Sequence, residues 1–444
     1  MRMKIQNVLY WLRQSFWFLP AFMAGTAFVL SIVTTALDRF FLSSDQLNRW
    51  WLYSGGPEGA RTILSVISSS MITVAGVVFS ITIVVLSLAS SQFGPRLIRN
   101  FMNVRTNQAV LGTFVATFIY GILVLNSVDS SQGEVWVPSF SITIAILMSL
   151  FSLALLIYFI HGVSESIQAQ HIIARVRLDL DKAVDRLFSE DTGQPGSRAL
   201  DPIRRYDDYR IPTTCDRDAC AVEADSSGYL QAVDTETLLK YAIEQELLIH
   251  LGHRPGDFIT QGCTLATVWP GEKVDDALSK KVNSLIIVGP ERTLEQDVEF
   301  AVSQLVEIAV RALSPGINDP VTAITCIDWL GSSLCSLANR KMPASHRYDE
   351  QNRLRLIVKR FTFEGMVDAA FNMIRQNSRS NVAVSIHILE TIAVVAAQTH
   401  GKQRRATLMR HAAMVVQGCE NLLSDDNDRK DLNDRYAAVA RLVE

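Results

Sequence analysis

The chain has 444 residues and a formal charge of −3 at pH 7, a length that predicts two or three domains. It contains no strongly basic domain and no motif that reads nucleic acid, so we exclude nucleic acid as a partner. The first 160 or so residues hold nearly all the long apolar runs. The six cysteines lie in the charged remainder, where a cytosolic location would keep them as reduced thiols.

Four stretches predict transmembrane helices, which need about 20 apolar residues each. They cover residues 16–37, 62–89, 109–128 and 139–160. The N-terminus, the loop after the second stretch and the segment after the fourth are basic, so the positive-inside rule places both termini in the cytosol. No acidic or basic residue lies in the middle of any stretch, which disfavours a coupled ion pump. We therefore expect a multi-pass protein of a bacterial cytoplasmic (inner) membrane.

The second stretch carries a stripe of small or hydroxyl residues at helical spacing, and the rest of its surface is Ile, Val, Leu and Phe. The stripe consists of Ser65, Ser69, Thr73, Gly76, Ser80 and Ser87. Such a face turns away from lipid, either to pack tightly against other helices or to line a pore. The third stretch has a similar small face at Thr113, Thr117 and Gly121, which is suited to close packing.

The loop after the second stretch has basic residues and no acid, with Arg96, Arg99 and Arg105 in SSQFGPRLIRNFMNVRTNQ. If the stripe lines a pore, these three arginines form its cytosolic mouth and favour anions.

Two long motifs carry a resemblance to a known family. One is SSQFGPRLIRNFMNVRTNQAVLGTFVATFIYGILVL, and the other, over residues 292–330, is RTLEQDVEFAVSQLVEIAVRALSPGINDPVTAITCIDWL. In these motifs the chain resembles a family of bacterial predicted membrane proteins that has no assigned activity. The resemblance implies four N-terminal spans and a cytosolic C-terminal region, and it transfers no catalytic residue.

After the membrane domain, residues 1–160, we expect a helical stalk over 161–189. Its apolar stripe of Ile172, Val176, Leu180, Val184 and Leu187 needs a partner, either this chain's own domain or the same helix of a neighbouring subunit. Residues 190–212 are polar with scattered Pro and Gly, and predict a linker.

Residues 213–290 predict a small β-domain. CAVEA, GYLQAV and ELLIHLGH are candidate strands, and PGDFITQGCTL resembles the small β-sandwich of biotinyl and lipoyl carriers. The modifiable lysine is absent, because no lysine lies between Lys240 and Lys273. The resemblance therefore implies the sandwich or barrel shape and no carrier chemistry. We expect no metal, since Cys215, Cys220, His250 and His253 are too loosely spaced for a structural zinc site.

Residues 291–444 predict a helical domain, with helices also expected from residue 354 to the end. In SPGINDP, residues 314–320, a carboxylate at Asp319 before Pro320 predicts a new helix start. We consider two interpretations: a ligand site formed by Arg311, Asn318 and Asp319, or a helix–helix corner held by its own caps.

The predicted fold class is thus an α-helical membrane protein with four transmembrane helices and a mixed α+β cytosolic region. We expect it to sit in the lipid bilayer as a homo-oligomer, with a small ion or ligand as partner and no cofactor. Our first hypothesis is a channel whose second span lines the pathway and whose cytosolic region regulates it. The alternative is a membrane-anchored ligand sensor or scaffold; an enzyme is disfavoured, because no catalytic motif is recognisable.

Overall fold

The computed structural model describes residues 17–41, 52–93, 105–128, 136–166, 169–188, 218–420 and 422–443. The chain divides into two units, Met1–His171 and Ile172–Glu444. Each unit has a packed apolar interior of its own.

The first unit is a bundle of long apolar helices arranged around the third of them. The helices are α1 (Phe18–Phe41), α2 (Pro57–Phe93), α3 (Arg105–Ser127) and α4 (Ser139–Ser166). α3 packs against each of the other three and buries Phe114, Tyr120 and Val124 almost completely.

Small residues on α3 allow this close packing. A Cβ on Gly121 would lie 2.5 Å from Ser68 Oγ of α2, and one on Gly112 would lie 3.2 Å from Pro20 Cα of α1. Thr117 is fully buried and its hydroxyl is 3.1 Å from that of Ser152 on α4. The predicted close-packing face of the third span is therefore confirmed.

We predict that Gly121→Leu destabilises the bundle by about 1–3 kcal/mol, because the new side chain must push α2 away from α3. The matched control is Gly25→Leu on α1, since a Cβ at Gly25 meets nothing within 4 Å. Thermal unfolding of the detergent-solubilised protein measures both variants. Equal melting temperatures for the two would contradict the packing argument.

Five helices, and not the predicted four, are long and apolar enough to cross a membrane among the described residues. The fifth is α9 (Pro320–Ala338), which lies in the second unit. Composition cannot separate a membrane span from a helix that is buried on all sides of a protein core, and α9 packs against three neighbouring helices. The prediction of four transmembrane helices considered only the apolar stretches in the N-terminal part of the chain.

The second unit contains nine helices and eight strands in its described part. The helices are α5 (Ala169–Leu187), α6 (Thr235–Glu244), α7 (Asp276–Ser284), α8 (Val298–Ala312), α9, α10 (Phe363–Asn377), α11 (Val382–Gln398), α12 (Lys402–Cys419) and α13 (Asp426–Val443). The strands are β1 (Cys220–Glu223), β2 (Gly228–Val233), β3 (Leu248–Leu251), β4 (Phe258–Ile259), β5 (Thr264–Trp269), β6 (Ile286–Gly289), β7 (His346–Tyr348) and β8 (Leu354–Val358).

The strands form two sheets that share one core and do not close into a barrel. Their orders are β1-β5-β3-β8-β7 and β4-β2-β6. Side chains from both sheets, with Leu238 of α6 and Val282 of α7, fill the space between them. Of the predicted sandwich or barrel, the closed barrel is wrong, because the edge strands β1 and β7 of one sheet pair neither with each other nor with β4 and β6, the edges of the other.

β8 also contradicts the sequence-based expectation of helices from residue 354, because residues Leu354–Val358 form a strand. Ile249 of β3 faces Leu356 of β8 in a parallel register. This sheet therefore contains strands from both sides of residue 290, the predicted end of the β-domain. The division of the chain into five segments stays a prediction.

The stalk helix α5 packs onto its own unit. Four of its five stripe residues are buried and Leu187 is half-buried, and Phe188 beyond the helix end is buried as well. Arg340 donates hydrogen bonds to the carbonyl oxygens of Val184 (3.3 Å), which also accepts from the backbone N of Phe188, and of Phe188 (2.9 Å), at the end of α5 where carbonyls lack helical partners. Of the two partners considered for the stripe, the chain's own domain is the one observed.

Asp349 organises the turn between β7 and β8. Its carboxylate accepts bonds from the backbone N of Arg353 at 2.8 Å and from Nε of Arg353 and Arg355, both at 2.9 Å. Burial opposes the charge, but these bonds and the charge of Arg353 together lower the pKa of Asp349 to about 2.

We predict an acid-dependent contribution of Asp349 to stability. A carboxyl with a lowered folded-state pKa stabilises the fold above its ordinary pKa of about 4, and this contribution is lost as the pH falls toward about 2. Asp349→Asn, which leaves the buried Arg355 without its counter-charge, costs about 3 kcal/mol at pH 7. Denaturant titrations at several pH values measure the gap between the two proteins. A gap that does not narrow below pH 4 would contradict the assignment.

Candidate functional site

The α2 stripe lies on the outer side of the helical bundle. All six residues named above are exposed within the protomer. The residues of α2 that contact the bundle are buried and lie roughly opposite, at about 100° of rotation per residue. They are Ala60, Leu64, Ile67, Ser68, Ala75 and Val78. The stripe therefore makes no tight packing contact with the other three helices of its own unit.

The stripe hydroxyls bond to their own helix. Thr73 Oγ1 donates to the carbonyl oxygen of Ser69 at 2.8 Å, and Ser80 Oγ donates to that of Gly76 at 2.9 Å. Such backbone bonds satisfy the hydroxyl protons and leave only oxygen lone pairs outward. The face is thus narrow, weakly polar and able to approach another helix or water.

The three arginines of the predicted mouth cannot be placed beside this stripe. Arg96 and Arg99 lie outside the described residues. Arg105 begins α3, but its side chain is outside the described part.

A polar network joins α1, α3 and α4 at the end of the bundle where α1 finishes. Asp38 is almost fully buried. Its carboxylate accepts bonds from the backbone N atoms of Phe140 (3.0 Å) and Ser141 (2.9 Å) and from Ser141 Oγ (2.6 Å). Asp38 therefore caps the N-terminus of α4 from a different helix, where a carboxylate also complements the helix dipole.

The network continues to Tyr120. Its hydroxyl lies 2.9 Å from Thr34 Oγ1 and 3.1 Å from the carbonyl oxygen of Ser141. Sequence reasoning missed Asp38, because it placed the residue in the loop after the first span, whereas α1 continues to Phe41. The spacing of Thr34 and Asp38, four residues apart on one helix face, was the available signal.

The predicted ligand corner is closed by its own caps. The Asp319 carboxylate accepts from the backbone N of Thr322 at 3.1 Å and from its hydroxyl at 2.5 Å, and the Asp319 N–H donates to Ala312 at 2.8 Å. Asn318 adopts a left-handed backbone with φ 49°, and Arg311 lies in the last turn of α8. The geometry is that of a helix–helix corner, and ligand binding there stays a prediction.

A second charged cluster, the junction, lies where the parallel strands β3 and β8 end and the helices α8 and α10 begin. Arg254 donates to Glu299 Oε2 at 2.7 Å, and its guanidinium lies 4.7 Å from the ring centroid of Phe361. Arg292 donates from Nε to Asp297 Oδ2 at 2.7 Å and from Nη2 to Asp297 Oδ1 at 3.0 Å. Asp297 also caps α8 by accepting from the backbone N of Phe300.

Each acid of the junction has a basic partner. Asp257 lies 3.2 Å from Lys359 Nζ. Burial raises the pKa of Glu299, and Arg254 opposes that effect. The sequence motifs PGD and RTLEQD were each visible, but only the fold brings them together. The junction joins a loop of the sheet to the start of α8 and to the segment after β8 through ion pairs that are costly to bury and to break.

We predict that Asp38→Ala lowers the stability of the first unit by about 1–2 kcal/mol, since it removes a cap and leaves two backbone N–H groups of α4 unpaired. Glu58→Gln is the control, because Glu58 is an exposed acid in the first turn of α2. Thermal unfolding in detergent measures both. A melting temperature for Asp38→Ala as high as that of the control would contradict the capping role.

Comparisons with known proteins match the chain to a family of membrane proteins. The family described as "Predicted membrane protein (DUF2254)" matches residues 13–394. The chain is 32% identical to "Uncharacterized protein MT1328" and "Uncharacterized protein Rv1290c" of two Mycobacterium tuberculosis strains and to "Uncharacterized protein Mb1321c" of Mycobacterium bovis. Each match covers 98% of this chain and 82% of the relative. No solved structure matches.

Proposed function

We propose a function from one premise: the chain belongs to the DUF2254 family of predicted membrane proteins. Several protomers associate in the bacterial cytoplasmic membrane so that their α2 helices surround a passive pathway. The second unit lies in the cytosol and regulates this pathway. Both termini are cytosolic, in accord with the basic segments at the N-terminus and after α2 and α4.

The outward position of the α2 stripe is the observation that carries the proposal. In membranes, small residues favour close contact between helices and hydroxyl residues favour water or polar partners. Lipid chains offer neither kind of contact. Because α3 already occupies the opposite side of α2, the stripe is available to a second copy of the chain. The stalk gives no support to association, since its stripe is covered by its own unit.

The positions of the charges support a passive pathway. In the described parts of α1 to α4, acidic and basic residues occur only near the helix ends. A proton relay or voltage sensor needs such groups at membrane depth.

We assign four of the five candidate spans to the membrane and keep α9 in the second unit. α9 packs against α8, α10 and α11. Its Asp328 lies 2.6 Å from His387 Nε2 of α11, a contact between two ionisable side chains that hydrocarbon would penalise.

The second candidate is a membrane-anchored protein that binds a ligand through its second unit. The convergence of charged residues at the ends of β3 and β8 favours it, because ligands often bind at the carboxyl ends of parallel strands beside helix N-termini.

Chloride and potassium flux from liposomes tests the proposal. Thr73→Leu and Gly76→Leu are expected to reduce flux at least about tenfold, because each fills the pathway with a bulky apolar side chain. Ser70→Leu is the matched control, since Ser70 is exposed on α2 but lies outside the stripe. If the wild type moves neither ion, or if the two stripe variants conduct like the control, the channel is wrong and the second candidate is favoured.

A further inference from the structure

Residues 369–419 are basic within a chain that is acidic overall. They contain six arginine or lysine residues and a single acid, Glu390. The basic residues are Arg375, Arg379, Lys402, Arg404, Arg405 and Arg410.

Two of these arginines have structural tasks. Arg404 donates to the carbonyl oxygen of Ala338 at 2.8 Å, and Arg405 donates to that of Thr399 at 3.0 Å. Both bonds satisfy carbonyl groups at the ends of α9 and α11.

Arg375, Arg379 and Arg410 instead meet on one surface, the arginine cluster, between α10 and α12. On α10, Asp368 and Arg375 are seven residues apart and share a face. Arg379 lies in the turn after the helix ends and is near enough to Arg375 for its charge to act on it. The packing of α12 against α10 brings Arg410 to this face. The side chain of Arg379 lies over Gly418 of α12, where a Cβ would be 3.8 Å from Arg379 Cγ.

One carboxylate serves the whole cluster. Asp368 Oδ1 lies 2.5 Å from Arg410 Nη2 and 2.7 Å from Nε2 of the buried His411. Among the described residues, Arg375 and Arg379 form no ion pair, and Arg410 shares Asp368 with His411. Burial lowers the pKa of Arg375, and the adjacent Arg379 and Arg410 lower it further, as expected of like charges held together.

The cluster also has unused hydrogen-bond capacity. In the described part of the chain, the buried side-chain nitrogens without a hydrogen-bond partner are Arg375 Nε and His411 Nδ1. The Arg375 side chain has a single hydrogen bond of moderate length, 3.3 Å, to Asn372. The Nε–H of Arg375 is a donor, and buried donors are normally satisfied. His411 offers no second donor, because burial lowers its pKa and its Nε2, which faces Asp368, carries the proton of the neutral ring.

We propose that the arginine cluster binds a phosphate group, carried by a small phosphorylated molecule or by a lipid headgroup. Planar guanidinium groups match the oxygens of phosphate in paired hydrogen bonds, and three of them exceed the charge that Asp368 supplies. The cluster lies in the second unit and does not depend on whether α2 lines a pathway.

Binding to the full-length protein in phosphatidylcholine nanodiscs tests the inference, with inorganic phosphate and dioctanoyl phosphatidic acid as probes in isothermal titration calorimetry. Arg379→Gln is the main variant, because Arg379 is exposed and its loss breaks no buried contact. Arg410→Gln is the second variant. Arg347→Gln, an exposed arginine on β7, is the matched control.

We expect both cluster variants to weaken binding about tenfold or more, as loss of a charge-assisted hydrogen bond does, and the control to leave it unchanged. Arg379→Lys keeps the positive charge but loses the planar pair of N–H donors, so we expect its affinity for the probes to lie between those of the wild type and of Arg379→Gln. Binding of inorganic phosphate identifies a soluble ligand, and binding of phosphatidic acid alone identifies a lipid; either supports the site. The site is wrong if neither probe binds, or if the cluster variants bind like the control. The assay measures no flux, so its failure is separate from failure of the channel.

Discussion

The close approach of helices to α3 is the constraint on which the membrane unit depends. Gly112 and Gly121 remove the side chains that would hold α1 and α2 away, and membrane helices associate mainly through such packing, because lipid offers no hydrophobic drive. The polar bonds of Asp38 and Tyr120 then fix the end of the bundle. Once α3 has taken one side of α2, the small-residue stripe is left on the other side.

This arrangement leaves the α2 stripe outside the packing of its own bundle. A stripe buried against α3 would need no explanation beyond packing, since Thr117 and Gly121 of α3 show what packing looks like in this protein. The α2 stripe has the same residue types and none of those neighbours. The hydroxyls of Ser69, Thr73 and Ser80 donate to their own helix, so association through these positions depends mainly on shape.

Local signals predicted much of the fold and little of the sites. The start of a helix at Asp319 and Pro320 was predicted because its cap lies within four residues of sequence, and α9 begins at Pro320 with Asp319 as its N-cap. β8 was missed because LRLIV is too short for periodicity to separate strand from helix, and its partner β3 lies about 100 residues earlier. The roles of Asp38 and of the junction were missed for a related reason, because their hydrogen-bond and ion-pair partners are distant in sequence.

The distribution of charge in the second unit separates structural ion pairs from the arginine cluster. In the junction, Arg254, Arg292 and Lys359 each face a carboxylate, so the charges cancel and the favoured outcome is rigidity. At Asp349 two arginines share one carboxylate within a tight turn, where the backbone N–H groups also hold the charge. Between α10 and α12 no such compensation exists for Arg375 and Arg379 among the described residues. Arg379 is exposed and needs no counter-charge from the fold, but the buried Nε of Arg375 is unpaired, and it is the group that an anion bound at the arginine cluster would complete.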